Sequence, residues 1–350
     1  MDKIRVGLVG ITGYTGMELA RLLVSHPSME LVMGCSRSES GRRLGEFYPF
    51  LEGLPGSDVV ISVYNAKSVA EACDVVFLAV PHGKAMVMAG ELADLGVRVV
   101  DLSADFRIHD VNVYEAWYKV THTRTDLLPK AVYGLPELYA AEVAKATLVA
   151  NPGCYPTSAI LGLAPALQAG LVSSADIVID SKSGTSGAGR KAQTTSLFCE
   201  VYDSFKAYGL GKHRHTPEIE QELSLLAGTP LTVSFNPHLV PMNRGILTTI
   251  YTKLIVEASM DEIWQTYRDF YKDKPFVRVL AKGSLPETRN VRGSLFCDIG
   301  LVQDPRTGRL IIVSAIDNIC RGASGQALAN ANLMFGLPVS AGLGQAPLLP

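Results

Sequence analysis

The first strand and the turn that follows it limit the fold of this chain more than any other feature. The apolar run Ile4–Val9 leads directly into three glycines spaced three residues apart, and a helical pattern then continues to Ser25. Glycines at such a turn let the backbone approach a pyrophosphate, and the helix start faces its negative charge. The spacing is GxxGxxG and not the usual GxGxxG, so the position of the turn carries the prediction of dinucleotide binding. The predicted cofactor contacts in this turn are Gly10, Thr12, Gly13, Tyr14, Thr15 and Gly16.

Apolar strands alternate with helical stretches up to about residue 150. The further strand candidates are Leu31–Cys35, Asp74–Val80 and Val97–Leu102. Strands that are apolar along their whole length favour a parallel sheet with helices on both faces, so we predict a Rossmann-type α/β domain. Ligands bind at the carboxyl ends of such strands, which makes Pro81 and Ser103 candidate cofactor contacts and Arg107 a candidate anion contact.

The end of the second strand bears on the choice of dinucleotide. NAD-binding proteins usually place Asp or Glu about 20 residues after the glycines, where it binds the ribose 2′-hydroxyl. Here the strand ends in Cys35, Ser36, Arg37 and Ser38. A guanidinium and hydroxyls suit a 2′-phosphate, so we predict NADP, with Ser36 and Arg37 as contacts. Glu39 leaves NAD open as an alternative, and Arg37 could instead be a solvated loop residue.

The sequence pattern changes after residue 150. Candidate strands become frequent, and few helical stretches separate them. The residues Asp304–Gly308 predict a hairpin turn between the last two strands. This pattern predicts an α+β domain with a mixed or antiparallel sheet. The candidate strands are Ala175–Ser181, Leu231–Phe235, Ile246–Val256, Phe276–Leu280, Ser294–Val302 and Leu310–Ile316.

Cys154 is the candidate nucleophile. It lies in the motif ANPGCYPT, between the apolar run Thr147–Val149 and the helical stretch Thr157–Gln168. Near a helix N-terminus the macrodipole favours the thiolate, which is the species that attacks an acyl phosphate or an aldehyde. A buried structural cysteine is the alternative, and it suits the four cysteines in or beside apolar runs, with Cys199 undecided. Those four are Cys35, Cys73, Cys297 and Cys320.

The candidate base lies in the motif KHRHTPEIEQ. The Thr-Pro pair after His215 predicts a helix start with the threonine as its cap, so His215 stands just ahead of a helix N-terminus. Glu218 follows in the first turn and could orient or tune the imidazole, while His213 and Arg214 are nearby alternatives. The His-x-His pair also allows a zinc site, but no third and fourth ligand is evident, so we predict no metal.

The segment Ser183–Lys191, SGTSGAGRK, is similar to a P-loop and raises a rival class, an enzyme that binds a nucleoside triphosphate. The Walker pattern requires Lys and then Ser or Thr after its last glycine, whereas Arg190 and Lys191 occupy those places. We interpret the segment as a flexible loop whose amides and basic residues contact cofactor or phosphate. The candidates are Gly184 and Gly187 for the cofactor and Arg190 for the phosphate.

Charge and hydropathy exclude several classes of protein. The formal net charge is −2, which gives no basic surface for nucleic acid, so a small anionic substrate must be held by local arginines. No uncharged apolar run reaches the roughly 18 residues that predict a membrane span. The N-terminal residues lack a signal-peptide layout and the six cysteines form no CxxC pairs, so we expect a reducing, cytoplasmic location.

Five motifs carry a resemblance to a known family. GxTGYTG, LSADFR, ANPGCYPT, SGTSGAGR and KHRHTPEIEQ, in this order along nearly the whole chain, resemble the N-acetyl-γ-glutamyl-phosphate reductase family. That family belongs to the superfamily of aspartate-semialdehyde dehydrogenase and glyceraldehyde-3-phosphate dehydrogenase. The resemblance implies a Rossmann domain over 1–150 completed by 322–350, a catalytic domain over 151–321, and a homodimer or homotetramer joined through the catalytic domains. It also places Asn318, near the start of the last helical segment, among the cofactor contacts.

The resemblance implies a reaction as well. The Cys154 thiolate attacks N-acetyl-γ-glutamyl phosphate, inorganic phosphate leaves, the thioester is reduced by NADPH, and His215 handles the proton as the semialdehyde forms. Two anionic ends of the substrate call for cationic anchors. The expected substrate contacts are Arg107, Asn151, Arg190 and Arg214. An aminoadipyl-phosphate reductase, an aspartyl-phosphate reductase and a non-catalytic NADP-binding sensor stay open, although Pro241–Ile246 lacks the histidine expected of the aspartate branch.

Overall fold

The computed structural model describes residues 2–349, and these residues form fourteen β-strands and eleven α-helices. The strands are β1 (Ile4–Val9), β2 (Met29–Cys35), β3 (Ile61–Ser62), β4 (Val75–Leu78), β5 (Arg98–Asp101), β6 (Ala131–Tyr133), β7 (Leu148–Ala150), β8 (Ile177–Ser183), β9 (Lys206–Ala207), β10 (Val233–Leu239), β11 (Ile246–Lys253), β12 (Val277–Val279), β13 (Cys297–Asp304) and β14 (Arg309–Ile316). The helices are α1 (Tyr14–Val24), α2 (Leu44–Phe47), α3 (Ala66–Ala72), α4 (Ala85–Asp94), α5 (Val111–Tyr118), α6 (Pro136–Val143), α7 (Cys154–Gln168), α8 (Phe198–Val201), α9 (Thr216–Ala227), α10 (Met260–Tyr271) and α11 (Gly325–Met334).

The chain folds as two compact units. Of the residues that the structure describes, the first unit comprises 2–152 and Ala323–Gln345, and the second comprises Gly153–Gly322 and 346–349. Each unit is built around its own seven-stranded sheet.

The first unit contains a wholly parallel sheet, as the sequence predicts. Its strand order is β3-β2-β1-β4-β5-β7-β6, and every neighbouring pair runs parallel. The central strands are mostly apolar; Val6 and Leu8 of β1 and all four residues of β4 are buried, and Arg5 of β1 is exposed. The strand order reverses direction between β1 and β4, and in open parallel sheets ligands bind at the carboxyl ends of the strands beside such a point. The glycine turn after β1 lies there.

The second unit contains a mixed sheet of order β12-β13-β14-β11-β8-β10-β9. The β8–β10 and β12–β13 pairs are parallel and the other pairs are antiparallel, which confirms the mixed sheet predicted from the sequence. Burial alternates along β8 and β11, so one face of the sheet is covered and the other is partly exposed. Helix α7 packs on β11 and β14 and also contacts α9 and α10.

Helices α10 and α7 of the second unit differ from the prediction made from the sequence. Helix α10 was not predicted, although Ser259 and Glu262 form a capping box at its start, which is a recognisable signal. Helix α7 begins at Cys154, three residues earlier than the predicted Thr157. It can do so because Gly153 enters the helix in an extended conformation and Pro156 is tolerated in a first turn.

Candidate active site

Cys154 is the first residue of α7 and is partly exposed, whereas the helix from Tyr155 to Leu167 is buried. The hydroxyl and amide of Thr157 both donate to the Gly153 carbonyl at 2.9 Å, which closes the first turn around the cysteine. The first turn is where the helix macrodipole favours a thiolate. The fold therefore places the Cys154 thiol at a helix N-terminus, the position expected of a nucleophilic thiolate.

The carboxylate of Glu218 joins the first turns of two helices. Glu218 lies in the first turn of α9 and is fully buried, and its Oε1 accepts a hydrogen bond of 2.8 Å from the Gly153 N–H. It therefore holds the backbone directly ahead of Cys154, a contact that its spacing from His215 did not predict. The cap of α9 is His215 and not the predicted Thr216, and Pro217 is tolerated at the second helical position because the N–H groups of the first turn have no partner within the helix.

The two candidate histidines lie ahead of α9, and both rings contact Tyr155, the residue after Cys154. The Tyr155 ring centroid lies 5.5 Å from that of His213 and 5.9 Å from that of His215, in edge-on contacts. His213 Nδ1 accepts a hydrogen bond of 3.1 Å from the His215 N–H. Burial, and then the charge of Arg214, lower the pKa of His213 to about 4. His213 is therefore neutral at pH 7, and with Nδ1 accepting it carries its proton on Nε2.

The glycine-rich loop after β8 is held by backbone hydrogen bonds and is not a P-loop. The amides of Gly184, Thr185 and Ser186 donate to carbonyls of the segment 242–245 at 2.9, 2.9 and 3.2 Å. A 3₁₀ turn follows the strand in place of the helix that a P-loop requires. These three amides are occupied within the protein, which rules out the nucleoside-triphosphate interpretation. Gly187 and Arg190, the other residues predicted to bind ligand here, are exposed.

Asn318, predicted as a cofactor contact, links two loops of the second unit. Its Oδ1 accepts a hydrogen bond of 2.7 Å from the Gly245 N–H, and its Nδ2 donates to the Ser186 hydroxyl at 3.0 Å. Asn318 thereby joins the turn after β14 to the glycine-rich loop that precedes Arg190.

The glycine turn of the first unit is closed to side chains. Gly10 has φ +88°, and a Cβ there would lie 2.2 Å from the Ala79 carbonyl oxygen, while a Cβ at Gly16 would lie 2.5 Å from the Gly10 carbonyl oxygen. Gly13 caps α1 with no side-chain hydrogen bond, so the first amides of the helix at Tyr14 are presented to a ligand. This combination of close backbone approach and an open helix start fits a pyrophosphate.

The end of β2 carries a net positive charge. The Ser36 hydroxyl lies 3.2 Å from that of Thr12, which joins the glycine turn to the strand end, and Arg37 is exposed beside it. Glu39, the residue that left NAD open, pairs with Arg42 at 2.8 Å. Because this pair neutralises the carboxylate, the strand end favours a 2′-phosphate over a 2′-hydroxyl.

The loops after β4 and β5 are held together by a carboxylate that sequence analysis did not single out. The buried Ser103 hydroxyl donates to Asp101 at 2.8 Å and accepts from the Asp105 N–H at 3.1 Å. The Asp105 carboxylate accepts a hydrogen bond of 2.8 Å from the Gly83 N–H, and so it holds the loop that begins at Pro81. Asp105 lies within the motif LSADFR, and the signal that could have identified it is a carboxylate placed four residues after the end of an apolar strand.

Arg107 and Asn151, both predicted to bind substrate, are buried and make hydrogen bonds within the first unit. The Arg107 guanidinium donates to the Asn151 carbonyl at 2.7 Å and to the Leu102 carbonyl at 2.8 Å. The Asn151 side chain donates to the Ala323 carbonyl at 3.1 Å and accepts from Asn330 at 3.0 Å. These bonds hold the strand ends to the segment that enters α11, so this geometry favours a structural role for both residues.

Neither a metal cluster nor a membrane segment is found in the part of the chain that the structure describes. Among residues 2–349, no group of three or more His, Cys, Asp or Glu side chains is arranged to hold a metal ion. Of the helices formed by these residues, none is long and apolar enough to cross a membrane.

Known structures share this architecture. Aspartate semialdehyde dehydrogenase II of Vibrio cholerae, solved in complex with ASA, is similar with a TM-score of 0.70 and 17% sequence identity, over 96% of this chain and 99% of that one. Aspartate semialdehyde dehydrogenase of Candida albicans, solved with NADP, also has a TM-score of 0.70 and 17% identity, over 95% and 99% of the two chains. At this identity the likeness shows the fold.

Family models and curated relatives are more specific. A semialdehyde dehydrogenase NAD binding domain matches residues 5–146, and a semialdehyde dehydrogenase dimerisation domain matches residues 154–318. N-acetyl-γ-glutamyl-phosphate reductase of Citrifermentans bemidjiense is 52% identical over 99% of this chain and 100% of its own. The reductase of Desulforudis audaxviator is 53% identical over 97% and 98% of the two chains. These relatives confirm the resemblance carried by the five motifs, and the chain belongs to the N-acetyl-γ-glutamyl-phosphate reductase family, within the semialdehyde dehydrogenases.

Proposed function

We propose that this chain reduces N-acetyl-γ-glutamyl phosphate to N-acetylglutamate 5-semialdehyde and inorganic phosphate, an acyl-phosphate reduction of arginine biosynthesis that depends on NADPH. The observation that carries the proposal is the placement of Cys154 as the first residue of α7, with a buried carboxylate and two histidines around the same turn. The names of relatives above 50% identity over the whole chain support the choice of substrate.

The reaction begins with covalent catalysis by Cys154. Its thiolate attacks the γ-carbonyl carbon, the carbon–oxygen bond to phosphate breaks, and inorganic phosphate leaves with that electron pair and takes up one proton from water, so that a thioester forms. The negative charge that develops on the carbonyl oxygen calls for amide donors at the start of α7. The Gly153 amide already donates to Glu218, so this role falls to the amides that follow it in the first turn.

A single protonation site then serves both remaining steps. When bound, the reduced nicotinamide supplies the hydride that converts the thioester to a tetrahedral alkoxide. His215, as the imidazolium, protonates that alkoxide. The neutral imidazole then removes the same proton as the carbon–sulfur bond breaks, which releases the aldehyde and regenerates the Cys154 thiolate.

His215 suits this proton transfer better than His213. Because the pKa of His213 is about 4, its ring is neutral at pH 7, and the one proton it keeps, on Nε2, is too weakly acidic to be transferred. Its Nδ1 lone pair already accepts the His215 amide hydrogen, so a neutral His213 has no free lone pair to act as a base. His213 is therefore proposed to hold the His215 backbone in place.

NADP is the proposed cofactor, held by the glycine turn and the end of β2. Gly10 and Gly16 allow the tight turn because a side chain at either position would collide with a backbone carbonyl, and the start of α1 at this turn is the proposed contact of the pyrophosphate. Ser36 and Arg37 are the proposed contacts of the 2′-phosphate, and the pairing of Glu39 with Arg42 removes the carboxylate that would prefer NAD. The proposed substrate anchors are the exposed Arg190 and Arg214, which can bind the phosphate and the α-carboxylate.

A homodimer or homotetramer in the cytoplasm is the proposed state of the protein. Phe198 and Tyr202 stack with their ring centroids 4.9 Å apart and are 74% and 66% exposed, an apolar surface that a second copy would cover. Both residues lie in the segment matched by a dimerisation domain. We expect Phe198→Ser to lower the molar mass measured by light scattering, and Val63→Ser, at a residue of the first unit that is 60% exposed, to leave it unchanged. A monomeric wild-type protein would contradict the assembly.

A panel of aldehydes tests the proposed function. We expect efficient phosphate-dependent oxidation of N-acetylglutamate semialdehyde with NADP, and a specificity constant at least about 10³-fold lower for aspartate semialdehyde, because the wrong substrate leaves polar groups unpaired. The aminoadipate-derived semialdehyde belongs in the same panel, since it differs in chain length. Comparable constants for the acetylglutamate and aspartate substrates would move the chain to the aspartate branch.

A further inference from the structure

The backbone of Gly322 lies directly against the candidate nucleophile. A Cβ added at Gly322 would stand 2.6 Å from the Cβ of Cys154 and 3.0 Å from its Cα. Those atoms belong to the first residue of a buried helix and cannot rotate away as the end of a long side chain would. The φ of Gly322 is not in the positive range that favours glycine, so the backbone conformation at this position does not require a glycine. Contact with Cys154 is the constraint that the structure places on this position.

The turn that carries Gly322 is fixed by Asp317. The Asp317 carboxylate is fully buried and accepts hydrogen bonds from the amides of Ile319 and Cys320 at 2.9 and 2.8 Å. Its backbone carbonyl accepts the Gly322 amide hydrogen at 2.9 Å. One residue thus shapes the whole turn from 317 to 322 through both its side chain and its backbone.

Asp317 is itself anchored to two other loops of the second unit. Its carboxylate pairs with Arg244 at 2.9 Å and accepts a hydrogen bond of 2.6 Å from the Gly293 amide. A buried carboxylate with this many donors can move only if several hydrogen bonds break together. The turn is therefore a rigid support, and the backbone directly ahead of Cys154 is held separately by the bond between Gly153 and Glu218.

We infer that Gly322, held in place by Asp317, is a positioning residue that sets the location of the Cys154 thiol at the start of α7. The inference rests on the proposed role of Cys154 as the nucleophile. A methyl group at position 322 must push Cys154 away from the turn, because the turn is the more firmly anchored of the two. Displacement of the thiol within the first turn weakens its interaction with the helix amides, since that interaction falls off within one turn.

Alkylation of Cys154 by iodoacetamide as a function of pH tests the inference. The experiment uses the full chain carrying Cys199→Ser, because Cys199 is exposed and the other four cysteines are buried. We expect Gly322→Ala to fold, to raise the pH midpoint of alkylation by up to about one unit and to lower the rate at pH 7 by roughly 10-fold. The kcat should fall by roughly 10²-fold, the scale of a small misplacement at a reacting centre, with the KM for NADPH unchanged.

Gly162→Ala is the matched control. It adds a methyl group to the same buried helix, but there the new atom meets the end of the flexible Ile250 side chain at 3.0 Å. Its alkylation profile should equal that of the parent protein. If Gly322→Ala does not fold, Asp317→Glu is measured in its place; it keeps the charge that pairs with Arg244 but lengthens the side chain, so it displaces the same turn and should shift the profile in the same direction.

The outcomes separate the inference from the function on which it rests. A profile of Gly322→Ala that matches the parent protein, in an enzyme that needs Cys154 for turnover, would overturn the positioning role alone. Full activity after Cys154→Ser would instead refute the proposed function, because that function requires a thioester on Cys154. A raised midpoint together with a kcat loss in Gly322→Ala, absent in Gly162→Ala, supports the inference.

Discussion

Replacement of Gly10 by alanine tests how the first unit binds its dinucleotide. At the φ of +88° found at Gly10, an alanine adopts a left-handed backbone conformation that costs about 1–2 kcal/mol of folding free energy. Its Cβ would also stand 2.2 Å from the Ala79 carbonyl oxygen, so β1 and the chain after β4 must separate, at a cost typical of overpacking, about 1–3 kcal/mol. The sum is about 2–5 kcal/mol, which for a unit of this size lowers the melting temperature by roughly 5–15 °C.

Gly41 supplies the control for that experiment. It has nearly the same backbone angle, φ +91°, but an added Cβ there meets nothing within 4 Å. Gly41→Ala should therefore lose only the conformational term and keep its affinity for NADPH. Differential scanning calorimetry and fluorescence titration with NADPH measure both quantities, and Gly10→Ala should weaken binding at least about tenfold because the turn and helix start move together. Equal effects of the two substitutions on stability and on affinity would refute this reasoning.

Three further predictions follow from the same geometry. Arg37→Ala should raise the KM for NADP and leave NAD use nearly unchanged; equal loss with both cofactors in steady-state assays would contradict the proposed 2′-phosphate contact. His215→Asn should lower kcat by roughly 10²–10⁴-fold, and a larger loss from His213→Asn would reverse the assignment within the pair. Burial, and then repulsion from Asp105, raise the pKa of Asp101 to about 7. The pKa of this carboxyl is therefore higher in the folded state than in the unfolded state. The stability that Asp101 contributes is full below about pH 4 and is lost as the pH rises to about 7. Asp101→Asn should flatten the decline in unfolding free energy between about pH 4 and 7 in urea titrations, and an unchanged slope would count against the raised pKa.

The elements that sequence patterns predicted best are those set by local rules. The run Ile4–Val9 forms a strand with those bounds, and the turn Asp304–Gly308 joins two strands of the mixed sheet as expected. Hydrophobic periodicity and turn chemistry act within a few residues, so they are legible in the chain itself. The start of α7 was misplaced because a glycine cap carries no side-chain signal.

Contacts between distant residues account for what the sequence did not predict. Arg107 and Asn151 stand where ligand contacts are expected, yet both make buried hydrogen bonds to backbone and side-chain atoms far along the chain. The hydrogen bond from Gly153 to Glu218 joins residues 65 positions apart. The contact of Gly322 with Cys154 likewise brings a turn near residue 320 against the start of α7. No local pattern encodes such pairings, because they arise only when the helices and strands have packed.

A covalent intermediate on Cys154 is the most direct test of the account. The protein is incubated with N-acetyl-γ-glutamyl phosphate in the absence of NADPH, quenched in acid to preserve a thioester, and digested for mass spectrometry. We expect an N-acetylglutamyl adduct on the peptide that contains Cys154, release of one phosphate for each adduct, and loss of both after Cys154→Ser. Turnover that survives in Cys154→Ser, or an adduct that maps to another cysteine, would contradict it.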